Sequence, residues 1–348
     1  MHILEATKIG KDNPSVLLLI ESLLNHAAIE AVDVGIDLFW KQPPAVDIVH
    51  FHWPDVLFNW KPPSFDGLAR LAQHLKCWKK RACLVATIHD RYPHYRNTDI
   101  SYWLYATVYS HMDGFIHRGQ TSIDELKDRY PDLADLPHVI IPAGLNTRFP
   151  NSVTRFEARQ QLKLPDSARV FLAGFGDMRH IEEGEQTLNG FCALRLKQKR
   201  LLIVVRKQPL QQPLRRRLFY VRTLLHPHVR FHVGHVPMQK VQYFINAADV
   251  FVIPRVQVLN SANLQLGFTF GKVVVGPDTG VVGEILRQTE NPLFTPGNAR
   301  SVARALQQAY QLSCTGYGEH NRAFAQKHWN WELLADQHVE FFKTVLKR

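Results

Sequence analysis

The sequence predicts an α/β chain built as two doubly wound Rossmann-like domains. Three observations predict it. Short apolar runs alternate with helix-period segments through both halves of the chain. A polar, irregular stretch at 146–168, with Pro150 and Pro165, separates the two alternating sets and reads as a linker. Residues 233–284 read as helix, strand, turn, helix and strand, with the spacing of a right-handed parallel crossover.

The elements follow in order. Residues 1–8 form a weak first strand. Asn13-Pro14-Ser15 opens an apolar helix over 16–24, with proline in its first turn. The run 45–54 is a buried strand whose C-terminal end presents His50, His52, Trp53 and Asp55. Alternation along the strand puts His50 in the core. Residues 64–81 are helical, with Leu68, Leu71, Leu75 and Trp78 on one side. The strand 83–88 delivers His89 and Asp90. An aromatic helix (102–112), a short strand (114–117), a helix (121–130) and a strand from 139 complete the first set. The second set starts with a strand at 170–176. Helix 186–196, strand 201–205, helix 214–225 and strand 229–234 follow. Next come the strand closed by Pro254, the small-residue turn 260–263 and an apolar helix stopped by Gly271. A strand over 272–275 ends at Gly276-Pro277, and an amphipathic helix over 329–347 closes the chain. In doubly wound sheets, ligands sit at the C-terminal strand ends.

Charge is unevenly placed. Residues 1–150 carry 15 Lys/Arg against 17 Asp/Glu, a net −2. Residues 151–348 carry 27 against 14, a net +13. The basic half implies an anionic ligand or surface, although the clusters at 195–200 and 215–217 read as solvated faces. The four cysteines lack CxxC spacing and read as free thiols of a reducing compartment. No apolar run reaches spanning length, and no signal peptide is expected.

Several motifs in order resemble the GT-B glycosyltransferases. In the first half they are AVDIVHFHWPD, ATIHDRYPH and VIIPAGLNTRFPN. In the second they are FLAGFGDMRHIEEG, LLIVVRKQP, VRFHVGHVP and the stretch from AADVFVIP to VVGEIL. Within that class the chain resembles the GDP-mannose-dependent β-mannosyltransferases that extend lipid-linked repeat units of xanthan-type exopolysaccharides. The resemblance implies two domains facing a central cleft. Residues 1–148 would bind the acceptor, 149–328 would bind the nucleotide sugar, and 329–348 would pack back on the first domain. It also implies a cytoplasmic enzyme, peripheral to the membrane, that transfers mannose with inversion to a polyprenyl-diphosphate-linked oligosaccharide.

Two departures stand out. The glutamate pair common in GT-B relatives falls on Val258 and Leu266, and the usual Lys-Gly falls on Glu183-Gly184. The leaving diphosphate needs charge stabilisation, for which Arg179 and Arg206 stand at strand ends. The turn Ser261-Ala262-Asn263 adds helix N-terminal N–H groups. Gln265 and Val233 are assigned to the same donor site. An inverting transfer needs a general base: Asp90 is the first candidate, with His89, His52 and Asp55 as rivals. Asn13, His52, Trp53 and His94 are assigned to the acceptor, where Trp53 would stack on a sugar or serve structure. No DxD-type pair is present, so no essential metal is expected. Two other readings stay open. The basic half would suit a nucleic-acid binder, although no nucleic-acid motif is present. A non-catalytic nucleotide-sugar sensor, or a transferase using a UDP-sugar, would share the fold. The basic end of helix 64–81 and the aromatic helix 102–112 are the expected membrane dock.

Overall fold

A computed structural model describes residues 1–9, 14–41, 46–91, 93, 99–207 and 213–348. Asn13 and His94 lie outside these residues. The chain divides into two compact units, 1–144 with 328–348, and 145–327.

The first unit runs β1 (His2–Glu5), α1 (Ser15–Leu24), β2 (Ala31–Val34), α2 (Ile36–Lys41), β3 (Ile48–Phe51), α3 (Phe65–Trp78), β4 (Cys83–Thr87), α4 (Asp99–Tyr109), β5 (Gly114–His117), α5 (Gln120–Arg129) and β6 (His138–Ile140). The strands form one parallel six-stranded sheet in the order β2-β1-β3-β4-β5-β6. Strand β2, absent from the sequence reading, is a half-buried edge strand. Its run Ala-Val-Asp-Val is too short and too weakly apolar to announce itself.

The second unit contains α6 (Arg155–Gln161), β7 (Arg169–Ala173), α7 (Ile181–Ala193), β8 (Lys199–Val205), α8 (Pro213–Leu225), β9 (Val229–Val233), α9 (Met238–Ala247), β10 (Val250–Val252), α10 (Ala262–Thr269), β11 (Val273–Pro277), α11 (Gly280–Gln288), β12 (Leu293–Phe294), α12 (Ala299–Cys314) and α13 (Tyr317–His328). Its sheet is also parallel, in the order β12-β11-β10-β7-β8-β9.

Two expectations are corrected. The stretch 146–168 is not all irregular: α6 lies inside it, opened by a capping box in which Thr154 and Glu157 satisfy each other's backbone N–H groups. Arg159 of α6 is buried and pairs with Asp249 at 2.9 Å, and Asp249 also accepts the Val170 N–H. That pairing ties α6 to the sheet. The apolar stripe of α3 is core, not a membrane face. Leu68, Leu71, Leu75 and Trp78 are buried, the helix packs on α4, and Trp78 donates its indole N–H to the Phe39 carbonyl. Tyr105 and Tyr109 of α4 are buried as well.

The last helix, α14 (Trp331–Leu346), belongs to the first unit. It buries Leu334, Val339, Phe342 and Val345 in one cluster with Ile3, Ile48, Val85 and Ile116 of the sheet. Gly144 is required there, because a Cβ would stand 2.3 Å from the Trp331 ring. Among the described residues no helix is long and apolar enough to cross a membrane.

Phe342 is fully buried in that cluster. Phe342→Ala should cost about 3–5 kcal/mol by cavity formation, read as a lower denaturation midpoint with an unchanged slope. A loss below about 1 kcal/mol would mean that α14 is not part of the first unit's core.

Candidate functional site

In each sheet the chain reverses its direction of growth once, and the polar residues gather at those two places. In the first sheet the reversal separates β1 from β3. In the second it separates β7 from β10. Neighbouring connections there leave on opposite faces, which opens a crevice beyond the C-terminal strand ends.

At the first reversal, β1 ends on Glu5, whose side chain is fully buried. The register pairs Glu5 with His50. Glu5 Oε1 lies 3.0 Å from His50 Nδ1, and Oε2 lies 2.8 Å from His52 Nε2. A carboxylate only accepts, so both ring nitrogens donate to it. His50 Nε2 then accepts from the Thr87 hydroxyl at 2.7 Å. His52, with its proton on Nε2, accepts at Nδ1 from His89 Nε2, 3.0 Å away. The network thereby assigns the tautomers, and His89 carries its acceptor lone pair on Nδ1.

The charge states agree with this assignment. His52 is pushed down to about 4, by burial and then by His50, against the opposing pull of Glu5. His89 is held well below its usual range by burial, then by Arg118 and His52. Both rings are neutral at pH 7. Burial alone would raise the Glu5 carboxyl, but the positive charge of either ring when protonated, and the hydrogen bonds that both donate, more than offset that, and the group is lowered.

The remaining candidates of this unit fall around the network. The Trp53 ring stacks on His89 at 4.2 Å between centroids and donates its N–H to Asp90 Oδ2 at 3.2 Å. Asp90 and His89 are half-buried. Asp55 is not a candidate base: it is buried in the 3-10 turn Pro54–Phe58, where its Oδ2 accepts the Tyr105 hydroxyl at 2.7 Å. Asn59 and Trp60, both at positive φ, close that turn.

Glu5 and Arg118 went unnoticed in the sequence. Arg118 follows β5 and bonds the Ile141 and Pro142 carbonyls through Nη1 at 2.8 and 3.1 Å. Burial lowers it to about 10, so it stays cationic. Its Nε–H is buried with no partner among the described residues. Glu5, His50 and His52 also present ligand atoms within 4.8 Å of one another. A metal there would have to displace hydrogen bonds that already close around Glu5.

At the second reversal, β7 runs into Gly174-Phe175-Gly176-Asp177. Gly174 lies at φ +146°, and a Cβ there would stand 2.1 Å from the Val204 carbonyl oxygen, so only glycine lets the loop lie against β8. Nothing stands closer to the Cβ position of Gly176 than Arg255 Nη2, at 3.7 Å. The pocket beyond is lined by this loop, Met178, Glu183, Pro254 and Arg255. Arg255, also missed in the sequence, donates to Glu183 Oε2 at 2.9 Å and to the Asp177 carbonyl at 2.8 Å. Glu183 Oε2 also accepts the Arg179 N–H at 2.9 Å. Glu183, in place of the usual lysine, is therefore a buried brace for the loop.

The predicted donor residues divide. Arg206 stands at the end of β8, where Asp177 already engages it at 2.8 and 3.1 Å. Arg179 stands in the β7 loop. Asn263 is a correction: its amide is taken up by Phe175, donating to the carbonyl at 2.9 Å and accepting the N–H at 3.2 Å. It clamps the loop. Ser261 precedes α10 without a side-chain cap bond, Ala262 is its exposed first residue and Gln265 is buried within it. Val233 ends the edge strand β9, two strands from β7, and is not among the pocket-lining residues.

The fold is of the GT-B type, two Rossmann-like α/β units. No protein-family model matches the chain, and no curated protein matches it by sequence. Solved structures do. Sucrose-phosphate synthase from Thermosynechococcus elongatus is 17% identical, with a TM-score of 0.72 over 99% of this chain and 98% of its own. HepE from Anabaena in complex with UDP is 14% identical, with a TM-score of 0.73 over 99% of this chain and all of its own. The catalytic domain of starch synthase IV from Arabidopsis thaliana, bound to ADP and acarbose, is 13% identical, with a TM-score of 0.64 over 98% of this chain and 79% of its own. At these identities the likeness concerns the fold.

The buried histidines set a pH dependence. His52 titrates near 4 in the folded chain, and His117 and His338 near 3, all lowered first by burial. Unfolded, each would titrate near 6.5. Between those values the unfolded chain binds more protons, so stability is full above about pH 6.5 and falls as pH drops toward 4. The melting temperature should fall from pH 7 to pH 4, less steeply in His338→Gln. A flat profile over that range would contradict the neutral buried network.

Proposed function

We propose that the chain is a glycosyltransferase that takes a sugar from a nucleoside diphosphate sugar. The observation that carries the reading is the β7/β10 crevice, lined by a glycine-walled backbone loop and Arg255, with Arg206 held to that loop by Asp177 and Arg179 following in the same loop. Guanidinium groups beside backbone N–H groups of a glycine-walled loop are suited to a diphosphate. HepE solved with UDP-glucose shares the fold.

The first unit supplies the base. An acceptor hydroxyl attacks the anomeric carbon, the bond to the nucleoside diphosphate breaks, and the hydroxyl proton passes to His89 Nδ1. The developing imidazolium is stabilised through His52 by Glu5, which orients the chain of rings as a buried carboxylate orients a catalytic histidine. His52 and Glu5 are positioning residues, and Asp90 holds Trp53 against the His89 ring. The direct displacement inverts the anomeric centre and uses no essential metal. The sequence resemblance favours GDP-mannose as donor and a polyprenyl-diphosphate-linked oligosaccharide as acceptor. Arg118, whose charge reaches His89, suits the anionic part of such an acceptor.

Turnover of labelled GDP-mannose, and of UDP- and ADP-sugars in parallel, tests the reading. His89→Ala should lower turnover by roughly 10²–10⁴-fold with donor affinity kept. Asp90→Asn should retain most activity. The reverse pattern would move the base to Asp90. Arg179→Ala should weaken donor binding by about 1.5–3 kcal/mol, and Arg206→Ala by less, because Asp177 already balances that charge. Equal affinity in wild type and Arg179→Ala would remove the diphosphate from this crevice.

A further inference from the structure

Helix α8 turns its apolar residues outward. Leu214, Leu218, Val221 and Leu225 recur at i, i+4, i+7 and i+11, one face of a helix, and are 71%, 59%, 50% and 77% exposed. Leu224, next to that face, is also exposed. Phe219 and Thr223 are the residues it buries. The orientation is fixed from its flank. Arg215 bonds Glu182 and Glu185 of α7, and Arg222 Nη2 bonds Asn189 at 3.0 Å. The outward leucines are therefore the presented surface of an anchored helix.

The charge around this face is mainly positive, and the two acidic neighbours, Glu182 and Glu185 of α7, are both paired with Arg215. α8 carries four arginines and no acidic residue; Arg215 and Arg222 brace it, and Arg217 is exposed beside the apolar face. The contacts Cys192 Sγ–His226 Nε2 at 3.6 Å and Arg200 Nη1–His228 Nδ1 at 3.0 Å bring the α7–β8 turn beside the C-terminal end of α8. That turn adds Arg195 and Lys197, and Arg200 follows at the start of β8. A second copy seated on this face by two-fold symmetry would oppose arginine to arginine. An apolar stripe rimmed by arginines matches the boundary of an anionic bilayer, where leucines enter the acyl region and guanidinium groups meet headgroup phosphates.

We propose that the outward face of α8 docks the protein on an anionic lipid surface. This gives the lipid-linked acceptor reading a physical site, and it moves the dock from α3, whose stripe is core, to the second unit. Binding to vesicles is read without turnover, so failure here and failure of the transferase reading are separable.

The test is co-sedimentation with vesicles of phosphatidylcholine alone, or with about a third phosphatidylglycerol. Wild type should pellet with the anionic vesicles only, and should be released by about 1 M NaCl. Leu214→Gln, Leu218→Gln, Val221→Gln and Leu225→Gln combined should lower partitioning by roughly tenfold or more, with circular dichroism and melting temperature kept. Arg195→Gln with Arg217→Gln should lower it less and flatten the salt dependence. No pelleting of wild type, or equal pelleting of the leucine variant, would overturn the proposal. So would a wild-type dimer in sedimentation velocity that the leucine variant dissolves without any vesicle binding, which would assign the face to a second copy.

Discussion

The first unit depends on a carboxylate placed where water cannot reach it. An isolated buried carboxylate is costly, and the usual outcome is protonation. Glu5 avoids that outcome because the parallel register brings His50 beside it and the chain just past β3 brings His52 to its second oxygen. Once both oxygens accept, the ring tautomers follow, and the chain reaches His89 at the half-buried end of β4. Removing any member would leave a buried donor or acceptor unmatched. The network therefore has one self-consistent state, and Arg118 supplies a lasting positive charge near it.

The second unit manages charge differently. Its loop must lie close to the sheet, which Gly174 permits, and must hold its shape beside several arginines. Glu183 and Asp177 hold Arg255 and Arg206 in place, and Asn263 ties α10 to Phe175 through both ends of its amide. Guanidinium groups held in this way lose little side-chain freedom when an anion arrives. The cost is that the charges of Arg206 and Arg255 are already balanced.

Much of this was legible in the sequence. Alternating strands, glycine and proline punctuation, and polar residues at strand ends place His52, Trp53, His89 and Asp90 at one end of a sheet, and Arg179 and Arg206 at one end of the other. Glu5 was not legible, because its meaning comes from pairing with residues 45 positions away on β3. Arg255 hides behind Pro254, which reads as strand punctuation. Asn263 looks like a ligand because small polar residues at a helix start resemble an anion site, and only the fold shows its amide already satisfied. The Thr154–Glu157 capping box was present in the sequence but stood between two prolines that suggested a linker. The α3 and α8 stripes differ only in what covers them, which periodicity does not record.

The central claim is that the β7/β10 crevice receives a nucleoside diphosphate. Hydrogen–deuterium exchange on the full chain, with and without GDP, UDP or ADP, tests it most directly. The account predicts that at least one of these slows exchange in peptides covering 174–179 and 261–265, with little change at β12. Saturating amounts of all three that leave those peptides unchanged would contradict it.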